Sequence, residues 1–584
     1  MARERRFALG VDYGTSSVRA LVVDTATGEE LATSVFDFPG GVAGVILDER
    51  DPNLARQDPA DYIAGFEAAV AEALRRAGSV PGFDPGRVVG IGVDTTGSTP
   101  LPVDASGLPL AMLERFRGNP HAQAWLWKDH TAHAEAAEIT DLARRRGEPY
   151  LAKCGGTYSS EWFWSKILRC RRVAPDVFAA AHSWVELADF VPAWITGNRE
   201  PAKIRRGICA AGHKAMFADA RGGWGGLPSK DFLAALDPAL ADLRDRLYEE
   251  AFPSDHKAGD LAPDIARRVG LPAGIPVAVG VIDAHSGAVG AGVRPGRMVK
   301  IIGTSTCDIM VAPDEGAPGE IPGLCGIVPG SVLPGYLGLE AGQPAVGDLF
   351  NWFVSAFAPH AGEDPHAALT RQAGRLRPGE SGLLALDWNN GNRTVLVDPL
   401  LTGLVLGQTL RTTPAEMYRA LIEATAYGAL RIIERLEEHG VAVREVVACG
   451  GIAEKNPLAM QIYADVFDRP VMLSRSAQAC ALGAAVFAAV VGGTHPDAAS
   501  AQRAMTGVQD RAFRPRPEAA GVYRRLYALY RLLHDAFGVP GTTADLSRVM
   551  KDLIAIRTEA RAAPTASASD APTRAPDLDA AAAS

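Results

Sequence analysis

The turn at residues 12–19 carries side chains suited to binding phosphate. It reads Asp12-Tyr13-Gly14-Thr15-Ser16-Ser17-Val18-Arg19 and joins apolar runs at residues 7–11 and 18–24. Glycine lets the backbone approach a ligand closely, and successive N–H groups of a tight turn form an anion-binding nest. The hydroxyls of Thr15 and Ser16 add donors, and Arg19 adds positive charge. Asp12, at the end of the first strand, can hold Mg²⁺ through water. The alternative interpretation is a capped hairpin with an arginine at the surface.

A second turn, Gly303-Thr304-Ser305-Thr306, repeats the plan of the first between apolar runs at 299–302 and 308–311. Both turns fit the pattern G-T-S-[ST]-x-[RD], although two turns this short can also match by accident. The functional interpretation is a duplicated domain in which each half presents one phosphate-facing hairpin to a shared cleft. The sequence contains neither the P-loop pattern GxxxxGK[ST] nor a GxGxxG followed by HRD, so phosphate binding is expected from these turns.

Asp283 has two possible roles. It follows the apolar run Gly280-Val281-Ile282 and precedes small residues that begin a helix. Capping that helix is the commoner role for an aspartate in this position. The functional alternative is a general base that takes a proton from a substrate hydroxyl, because the carboxyl end of a strand in an open α/β sheet faces the ligand crevice. The choice depends on the groups around it.

The elements that position these residues alternate between strand and helix. Apolar β-prone runs predict strands at 7–11, 18–24, 30–36, 88–93 and 443–449. Amphipathic or apolar patterns predict helices at 59–76, 414–439, 456–467 and 480–491, the first of them capped by Asp58. This alternation indicates an α/β architecture. A chain of 584 residues is too long for one core, which favours two domains, and the Ala/Pro/Ser-rich tail from about 562 is expected to lie outside the fold.

Composition narrows the functional class. The net charge of −9 is spread without a basic block, so neither nucleic acid nor a membrane surface is an expected partner. The seven cysteines form no CxxC pair, which supports neither a zinc site nor a disulfide framework and favours a reducing cytoplasm. His213 and His285 have no second ligand at metal spacing and are expected to be structural. The N-terminus does not read as a signal peptide, and the apolar run at 479–491 is too short to span a bilayer.

The chain resembles the FGGY carbohydrate kinases over about residues 1–545. The family's two phosphate motifs correspond to GVDYGTSSVRALVVD and VKIIGTSTCDIMV, and its adenosine motif to ACGGIAEKNPLAMQIYADVFDRPV. Within the family, several stretches are most similar to the kinases of ribulose: GIGVDTTGSTPLPVD, LWKDHTA, YSSEWFWSKIL, WVELADFVPAWITG, AGHKAMF, IDAHSGAVGAG, GTSTCD and GLEAGQ.

The resemblance implies a role for each matching residue. Asp283 matches the catalytic base and Asp12 the aspartate associated with Mg²⁺. The matches to the phosphate loops are Thr15, Ser16, Arg19, Gly303 and Thr304, and those to the nucleoside site are Gly450, Gly451 and Asn456. The matches to the sugar pocket are Lys214, Glu340, the Gly97 loop, Trp127 and the vicinity of Asp129. Lys455 departs from the family pattern, since some relatives carry asparagine there.

Lys214 and Glu340 can be weighed without the family. A lysine such as Lys214 is more often solvated than bound to a ligand. Glu340 lies among small and apolar residues, where an unpaired carboxylate is costly, and this favours a ligand contact.

The implied fold is α/β, the actin-like (ribonuclease H-like) ATPase fold, with two duplicated domains around a central nucleotide cleft. We expect an N-terminal domain at 1–294, a C-terminal domain at 295–545, and the end of a helix and a disordered tail at 546–584. The implied reaction is phosphoryl transfer from ATP, with Mg²⁺, to the C5 hydroxyl of a ribulose, in a cytoplasmic homodimer that serves L-arabinose breakdown. Other pentuloses or pentitols stay open as substrates. The rival functions are an actin-like or chaperone ATPase and a degenerate kinase that senses sugar.

Overall fold

The computed structural model describes residues 4–219, 223–315, 319–357 and 364–563. The predicted tail lies outside the described residues from 564 onward. The strands of the first half are β1 (Phe7–Tyr13), β2 (Ser17–Asp24), β3 (Glu30–Asp37), β4 (Ile46–Asp48), β5 (Asp51–Gln57), β6 (Val88–Thr95), β7 (Pro100–Val103), β8 (Ala124–Trp125), β9 (Ser183–Glu186), β10 (Lys257–Asp260), β11 (Pro276–Ala278) and β12 (Val281–Ile282). Its helices are α1 (Pro59–Ala77), α2 (His133–Arg146), α3 (Phe163–Val173), α4 (Pro175–Ala180), α5 (Leu187–Thr196), α6 (Ile208–Lys214), α7 (Lys230–Leu236), α8 (Pro238–Arg244), α9 (Pro263–Val269) and α10 (Asp283–Gly290).

The second half has the same alternation of strands and helices. Its strands are β13 (Arg297–Ile302), β14 (Thr306–Pro313), β15 (Gly326–Pro329), β16 (Tyr336–Ala341), β17 (Leu384–Leu386), β18 (Leu404–Leu406), β19 (Glu445–Cys449), β20 (Val471–Ser474) and β21 (Val508–Phe513). Its helices are α11 (Gly347–Phe357), α12 (Pro365–Gly374), α13 (Pro414–Glu438), α14 (Gly451–Lys455), α15 (Pro457–Phe467), α16 (Ala479–Val491), α17 (Ala498–Met505), α18 (Pro517–Gly538) and α19 (Val549–Ala562).

The two main sheets share one topology. In the first, β3, β2 and β1 are antiparallel neighbours, and β1 continues in parallel to β6 and then β11. In the second, β16, β14 and β13 are antiparallel neighbours, and β13 continues in parallel to β19 and then β20. The order and the directions match strand for strand, so the duplication predicted from the two glycine turns is present in the fold.

Local sequence explains where several elements begin. The Asp58 side chain accepts from the Ala60 N–H at the start of α1, and Pro59 takes the first helical position. Thr413 and Glu416 form a reciprocal capping box at the start of α13. The strands and helices predicted from periodicity are all present, with ends shifted by a few residues.

Helix α16 joins the two halves. It belongs to the second half by sequence, yet it packs against α10 and across β1 and β6 of the first sheet. Three strand glycines make this approach possible: a Cβ at Gly10, Gly90 or Gly92 would lie 1.8, 2.1 or 1.9 Å from a carbonyl oxygen of α16. One apolar cluster therefore contains residues of both sheets and of α16. Among the described helices, none is long and apolar enough to cross a membrane.

Candidate active site

Three aspartates lie at one edge of the first sheet. Strands β1 and β6 run parallel with Asp12 opposite Asp94, and β12 runs parallel to β6 with Val281 opposite Asp94. Asp283 follows β12 directly. Because the carboxyl ends of parallel strands meet at one edge, the register brings the three carboxylates together at the position where α/β sheets bind ligands.

Asp94 was missed as a site residue by sequence reasoning. It is fully buried, and neither of its carboxylate oxygens is in hydrogen-bond geometry with a described group. Burial, followed by the charges of Asp12 and Asp283, raises its pKa well above the usual value. The signal was available, since Asp94 ends a buried strand just as Asp12 and Asp283 do. A buried carboxylate left in this state calls for a cation or a proton.

Asp283 is not the cap of the helix it begins. Ile282 holds the N-cap position of α10, and Asp283 is the first helical residue, with its Oδ1 accepting from the adjacent Ala284 N–H at 2.6 Å. Burial and then the negative charge of Asp12 raise the pKa of Asp283 to about 7, although the Lys214 ammonium acts in the opposite direction. A carboxylate with a pKa near neutrality is suited to taking a proton at physiological pH.

Lys214 and Glu340 are brought together across the two halves of the chain. Lys214 ends α6, Glu340 lies in β16, and the ammonium is 3.1 and 3.2 Å from the two carboxylate oxygens. Burial alone would raise the pKa of Glu340, but the positive charge of Lys214 outweighs it and holds that pKa below its usual range. The same carboxylate raises the pKa of Lys214 to about 12 against the effect of burial. The cost of an unpaired carboxylate is therefore avoided within the protein, by a partner from a distant helix, and the ligand contact of Glu340 stays a prediction.

His213 and His285 lie beside the same carboxylate. His213 Nδ1 is 3.3 Å and His285 Nε2 is 3.5 Å from Glu340 Oε2. The two rings lie 4.5 Å apart between centroids. Neither histidine has a second ligand at metal spacing in the sequence, and the fold brings one to both of them from a distant strand. Their neighbour, Glu340, lies more than a hundred positions away from His213 in sequence.

The Gly97 loop is fixed by two buried side chains that sequence reasoning did not select. Glu186 accepts from the Ser98 hydroxyl and, at 2.8 Å, from the Thr99 N–H. Lys166 donates to the carbonyl of Ser98 at 2.8 Å, and also to the carbonyls of Trp125 and Leu126 at 3.2 and 2.8 Å. The loop is therefore tied to the strand that precedes Trp127.

Trp127 and Asp129 differ in what they can offer a ligand. The Trp127 indole donates to the Thr15 hydroxyl at 3.0 Å, which links the predicted sugar pocket to the first glycine turn. Asp129 is fully buried, pairs with Arg56 and accepts from the Ala55 N–H at 2.7 Å. Its carboxylate is thus engaged within the protein.

Each glycine turn is closed by a hydrogen bond from the N–H of its glycine. The Gly14 N–H donates to the Ser17 carbonyl and the Gly303 N–H to the Ser305 carbonyl, each at 2.9 Å. Ser16, Gly303 and Thr304 are exposed. Arg19, in β2, lies 3.4 Å from Asp12. That both turns face one nucleotide stays a prediction.

The predicted nucleoside residues follow the strand beside the second turn. Parallel pairing places Ile301 opposite Cys449, so Gly303 and Gly450 come after neighbouring strand ends. Gly450 has φ +93°, and a Cβ there would lie 2.6 Å from the Ile302 carbonyl, so only glycine fits. Gly451 borders open space. Asn456 caps α15 by accepting from the Ala459 N–H at 3.0 Å, a structural role beside the predicted one.

Comparison with known proteins gives consistent matches along the chain. A family model described as the FGGY family of carbohydrate kinases, N-terminal domain, matches residues 7–290, and the C-terminal model of the same family matches residues 298–491. A protein of Halalkalibacterium halodurans named ribulokinase is 42% identical over 551 residues, 91% of this chain and 95% of that protein. One of Mycolicibacterium smegmatis, also named ribulokinase, is 42% identical over 561 residues, 94% and 96% of the two chains.

Solved structures resemble the same length of chain. The xylulose kinase of Rhodospirillum rubrum has a TM-score of 0.75 at 27% identity and covers 91% of this chain and 100% of its own. Plasmodium falciparum glycerol kinase with ADP has a TM-score of 0.71 at 15% identity, covers 90% of this chain and 98% of its own, and is similar in fold alone.

Proposed function

Because the chain belongs to the FGGY family of carbohydrate kinases, we propose that it transfers the γ-phosphoryl group of ATP to the C5 hydroxyl of L-ribulose. The observation that carries this proposal is the position of Asp283, a carboxylate of raised pKa at the ligand-binding edge of the first sheet, near the buried Lys214–Glu340 pair. The names of the two curated relatives support ribulose as the acceptor.

In this mechanism Asp283 acts as the general base. Its carboxylate orients the C5 hydroxyl and accepts the proton as the hydroxyl oxygen attacks the γ-phosphorus. Lys214 and Glu340 hold other hydroxyls of the sugar, since an ammonium donates and a carboxylate accepts hydrogen bonds. The main chain of the Gly97 loop, fixed by Lys166 and Glu186, forms a further wall of the pocket.

The two glycine turns hold the phosphates of ATP. The hydroxyls of these turns and their N–H groups that are not used within the turn stabilise negative charge on the transferring group, and Arg19 adds a cation beside the first turn. Gly450, Gly451 and Asn456 receive the nucleoside. Closure of the two halves excludes water, which would otherwise compete with the sugar hydroxyl for the phosphoryl group.

Asp12 and Asp94 are the residues that fit Mg²⁺. Their carboxylate oxygens lie within 4.8 Å of each other, and those of Asp94 have no hydrogen-bond partner among the described groups. Hard oxygen donors of this kind are what Mg²⁺ prefers. When bound, Mg²⁺ neutralises charge on the phosphate oxygens. Asp12 also acts without it, because its charge helps to raise the pKa of Asp283.

We place the enzyme in the cytoplasm, as a homodimer acting in L-arabinose breakdown. All seven cysteines are free thiols, which supports a reducing compartment. The two proposed domains, 1–294 and 295–545, meet in the segment between α10 and β13, and residues 546–584 contribute α19 and the tail.

A coupled assay of ADP release, with and without L-ribulose, tests this function. We expect turnover that depends on the sugar. Equal turnover without sugar would indicate an ATPase, and no turnover with any sugar would indicate a sensor. Comparing kcat/KM for L-ribulose, D-ribulose, ribitol and a xylulose then identifies the preferred acceptor, and a higher value for one of the other three would replace L-ribulose in the proposal.

A further inference from the structure

Three side chains beside the sugar pocket have the geometry of a metal site. His213, His285 and Glu340 each offer one ligand atom, a ring nitrogen or a carboxylate oxygen, and these three atoms all lie within 4.8 Å of one another. The two nitrogens are 3.3 and 3.5 Å from Glu340 Oε2. Ligands about 2.0–2.1 Å from a tetrahedral zinc ion are about 3.3 Å apart, so these separations match the edges of a zinc tetrahedron.

The tautomer of His213 strengthens this interpretation. The Ser331 hydroxyl donates to the Val328 carbonyl at 2.9 Å, so its oxygen accepts from His213 Nε2–H at 3.0 Å. The proton of the neutral ring is then on Nε2, and Nδ1 carries a free lone pair 3.3 Å from Glu340 Oε2, with no hydrogen bond between the two atoms. Two electron-rich atoms at this separation repel each other unless an electropositive group lies close to both.

The geometry shows no hydrogen bond that would hold a proton between these groups. Both rings are almost fully buried, and neither His213 Nδ1 nor His285 Nε2 has a hydrogen-bond partner among the described groups. Neutral imidazoles with free lone pairs are the state in which histidine binds metals.

We propose that His213 Nδ1, His285 Nε2 and Glu340 Oε2 bind one zinc-type divalent ion, with a fourth position open to water. Imidazole ligands favour Zn²⁺ over Mg²⁺, so this site is distinct in chemistry and place from the Asp12–Asp94 carboxylates. The hydrogen bond from His213 to Ser331 is the outer-shell contact that orients a metal-binding imidazole.

Occupancy of this site opposes binding of the sugar. Lys214 and the ion share the Glu340 carboxylate, and a second cation draws it away from the ammonium. This consequence rests on the proposed function, in which Lys214 and Glu340 contact the sugar. Binding of the ion itself does not depend on that function. Zn²⁺ should therefore raise the apparent KM for L-ribulose and leave the KM for ATP unchanged.

Calorimetric titration of the full chain with Zn²⁺, in buffer saturated with Mg²⁺, tests the site directly. We expect one ion per chain and at least a 10-fold weaker affinity in His213→Gln and His285→Gln, because loss of even an outer-shell partner costs 10–100-fold. The loss of Zn²⁺ affinity in Ser331→Ala should fall in that range, although this variant keeps all three ligands. His256→Gln, a half-exposed histidine paired with Asp255, is the matched control and should bind as the wild type does.

The absorption of bound Co²⁺ gives a second measurement that does not require activity. Intense visible bands without a thiolate band in the near ultraviolet indicate a tetrahedral site of nitrogen and oxygen ligands. Undiminished binding in His285→Gln, a thiolate band, or no binding by the wild type would overturn the site. If the histidine variants do not fold, Ser331→Ala decides the question, since its failure to weaken binding contradicts the site. Binding of Zn²⁺ without a rise in the KM for sugar would refute the antagonism alone.

Discussion

At the residue scale, the candidate site is a group of carboxylates whose protonation states differ because their surroundings differ. Asp283 has its pKa raised to about 7 by burial and by Asp12, whereas Glu340, which is also buried, is kept ionised by Lys214. The first is suited to accept a proton and the second to accept hydrogen bonds. Two carboxylates of one pocket thus take different roles.

Asp283→Asn tests the base. Asparagine keeps the shape of the side chain but cannot take the proton, so kcat should fall by roughly 10²–10⁴-fold while the melting temperature and ATP affinity stay near those of the wild type. Asp497→Asn, at a true N-cap in α17, is the control and should be nearly silent because the two residues cap equally well. Near-normal turnover in Asp283→Asn would move the role of base to another group, and His285 would be the next candidate.

The pH dependence of kcat/KM reports the same group. Since the base works deprotonated and its pKa is about 7, kcat/KM should decline tenfold per unit of pH below that value and level off above it. Lys214 lowers the pKa of Asp283. In Lys214→Met, the pH at which kcat/KM reaches its plateau should therefore be higher. A profile that is flat between pH 5 and 8 would exclude Asp283 as the titrating base.

Lys214→Met also tests the sugar contacts. Loss of a charged hydrogen bond to the sugar should cost about 2–4 kcal/mol in kcat/KM for L-ribulose, with little change for ATP. The single variant leaves Glu340 buried without its cation and should lower stability, which the pair Lys214→Met/Glu340→Gln should largely recover without recovering sugar use. Lys230→Met, in an exposed pair with Asp245, is the control. Unchanged pentulose kinetics would remove Lys214 from the pocket.

At the scale of elements, the pocket depends on how loops and strand ends are held. The Gly97 loop lies after β6, and its position depends on Lys166 of α3 and Glu186 of β9, both of them buried. The turns after β1 and β13 are each closed by one internal hydrogen bond from the glycine N–H, which fixes the backbone that carries the other N–H groups before a ligand arrives. Preorganised donors of this kind need no rearrangement during the reaction.

Lys166→Met should loosen the Gly97 loop. Three carbonyls lose their donor, so the free energy of unfolding should fall by at least about 2 kcal/mol, as measured by urea titration. The KM for the sugar should rise and the KM for ATP should not, because the loop lies on the sugar side. Lys203→Met, in a surface pair with Glu200, serves as the control. A destabilised variant with an unchanged sugar KM would show that the loop does not shape the pocket.

At the scale of the whole molecule, the duplicated sheets form an actin-like fold, in agreement with the solved kinases of the same architecture. The halves are not independent, because α16 packs on the first sheet through backbone contacts that strand glycines permit. Its first turn also meets α10, whose Ser286 hydroxyl donates to the Cys480 carbonyl at 2.7 Å. The helix that begins with the proposed base is thereby fixed to the opposite half.

Gly92→Ala tests this connection. The added Cβ would lie 1.9 Å from the Ala484 carbonyl oxygen, so α16 must shift, at a cost of about 1–3 kcal/mol in the free energy of unfolding. Gly521→Ala is the matched control: it lies within α18, its nearest neighbour is an arginine tip at 3.9 Å, and alanine there should stabilise by about 0.5–1 kcal/mol. Equal stability of the two variants would mean that α16 does not pack tightly against β6.

The sequence by itself determined those features that depend on neighbours in the chain. Periodicity and caps located the strands and helices, the repeated glycine turns revealed the duplication, and strand ends pointed to Asp12 and Asp283. Motif resemblance supplied the family and the nucleoside and sugar residues. These features are local because hydrophobic period, turn chemistry and capping act over a few residues.

Only the tertiary structure decided which distant groups meet. The register of β1, β6 and β12 placed Asp94 between the other two aspartates. Packing of α6 against β15, the neighbour of β16, brought Lys214 and His213 to Glu340. The roles of Lys166 and Glu186 could not be predicted from the sequence either, since nothing near them in the chain indicates which loop they fix. Such contacts join residues tens to more than a hundred positions apart. They arise from sheet pairing and the docking of two halves, which no short window of sequence contains.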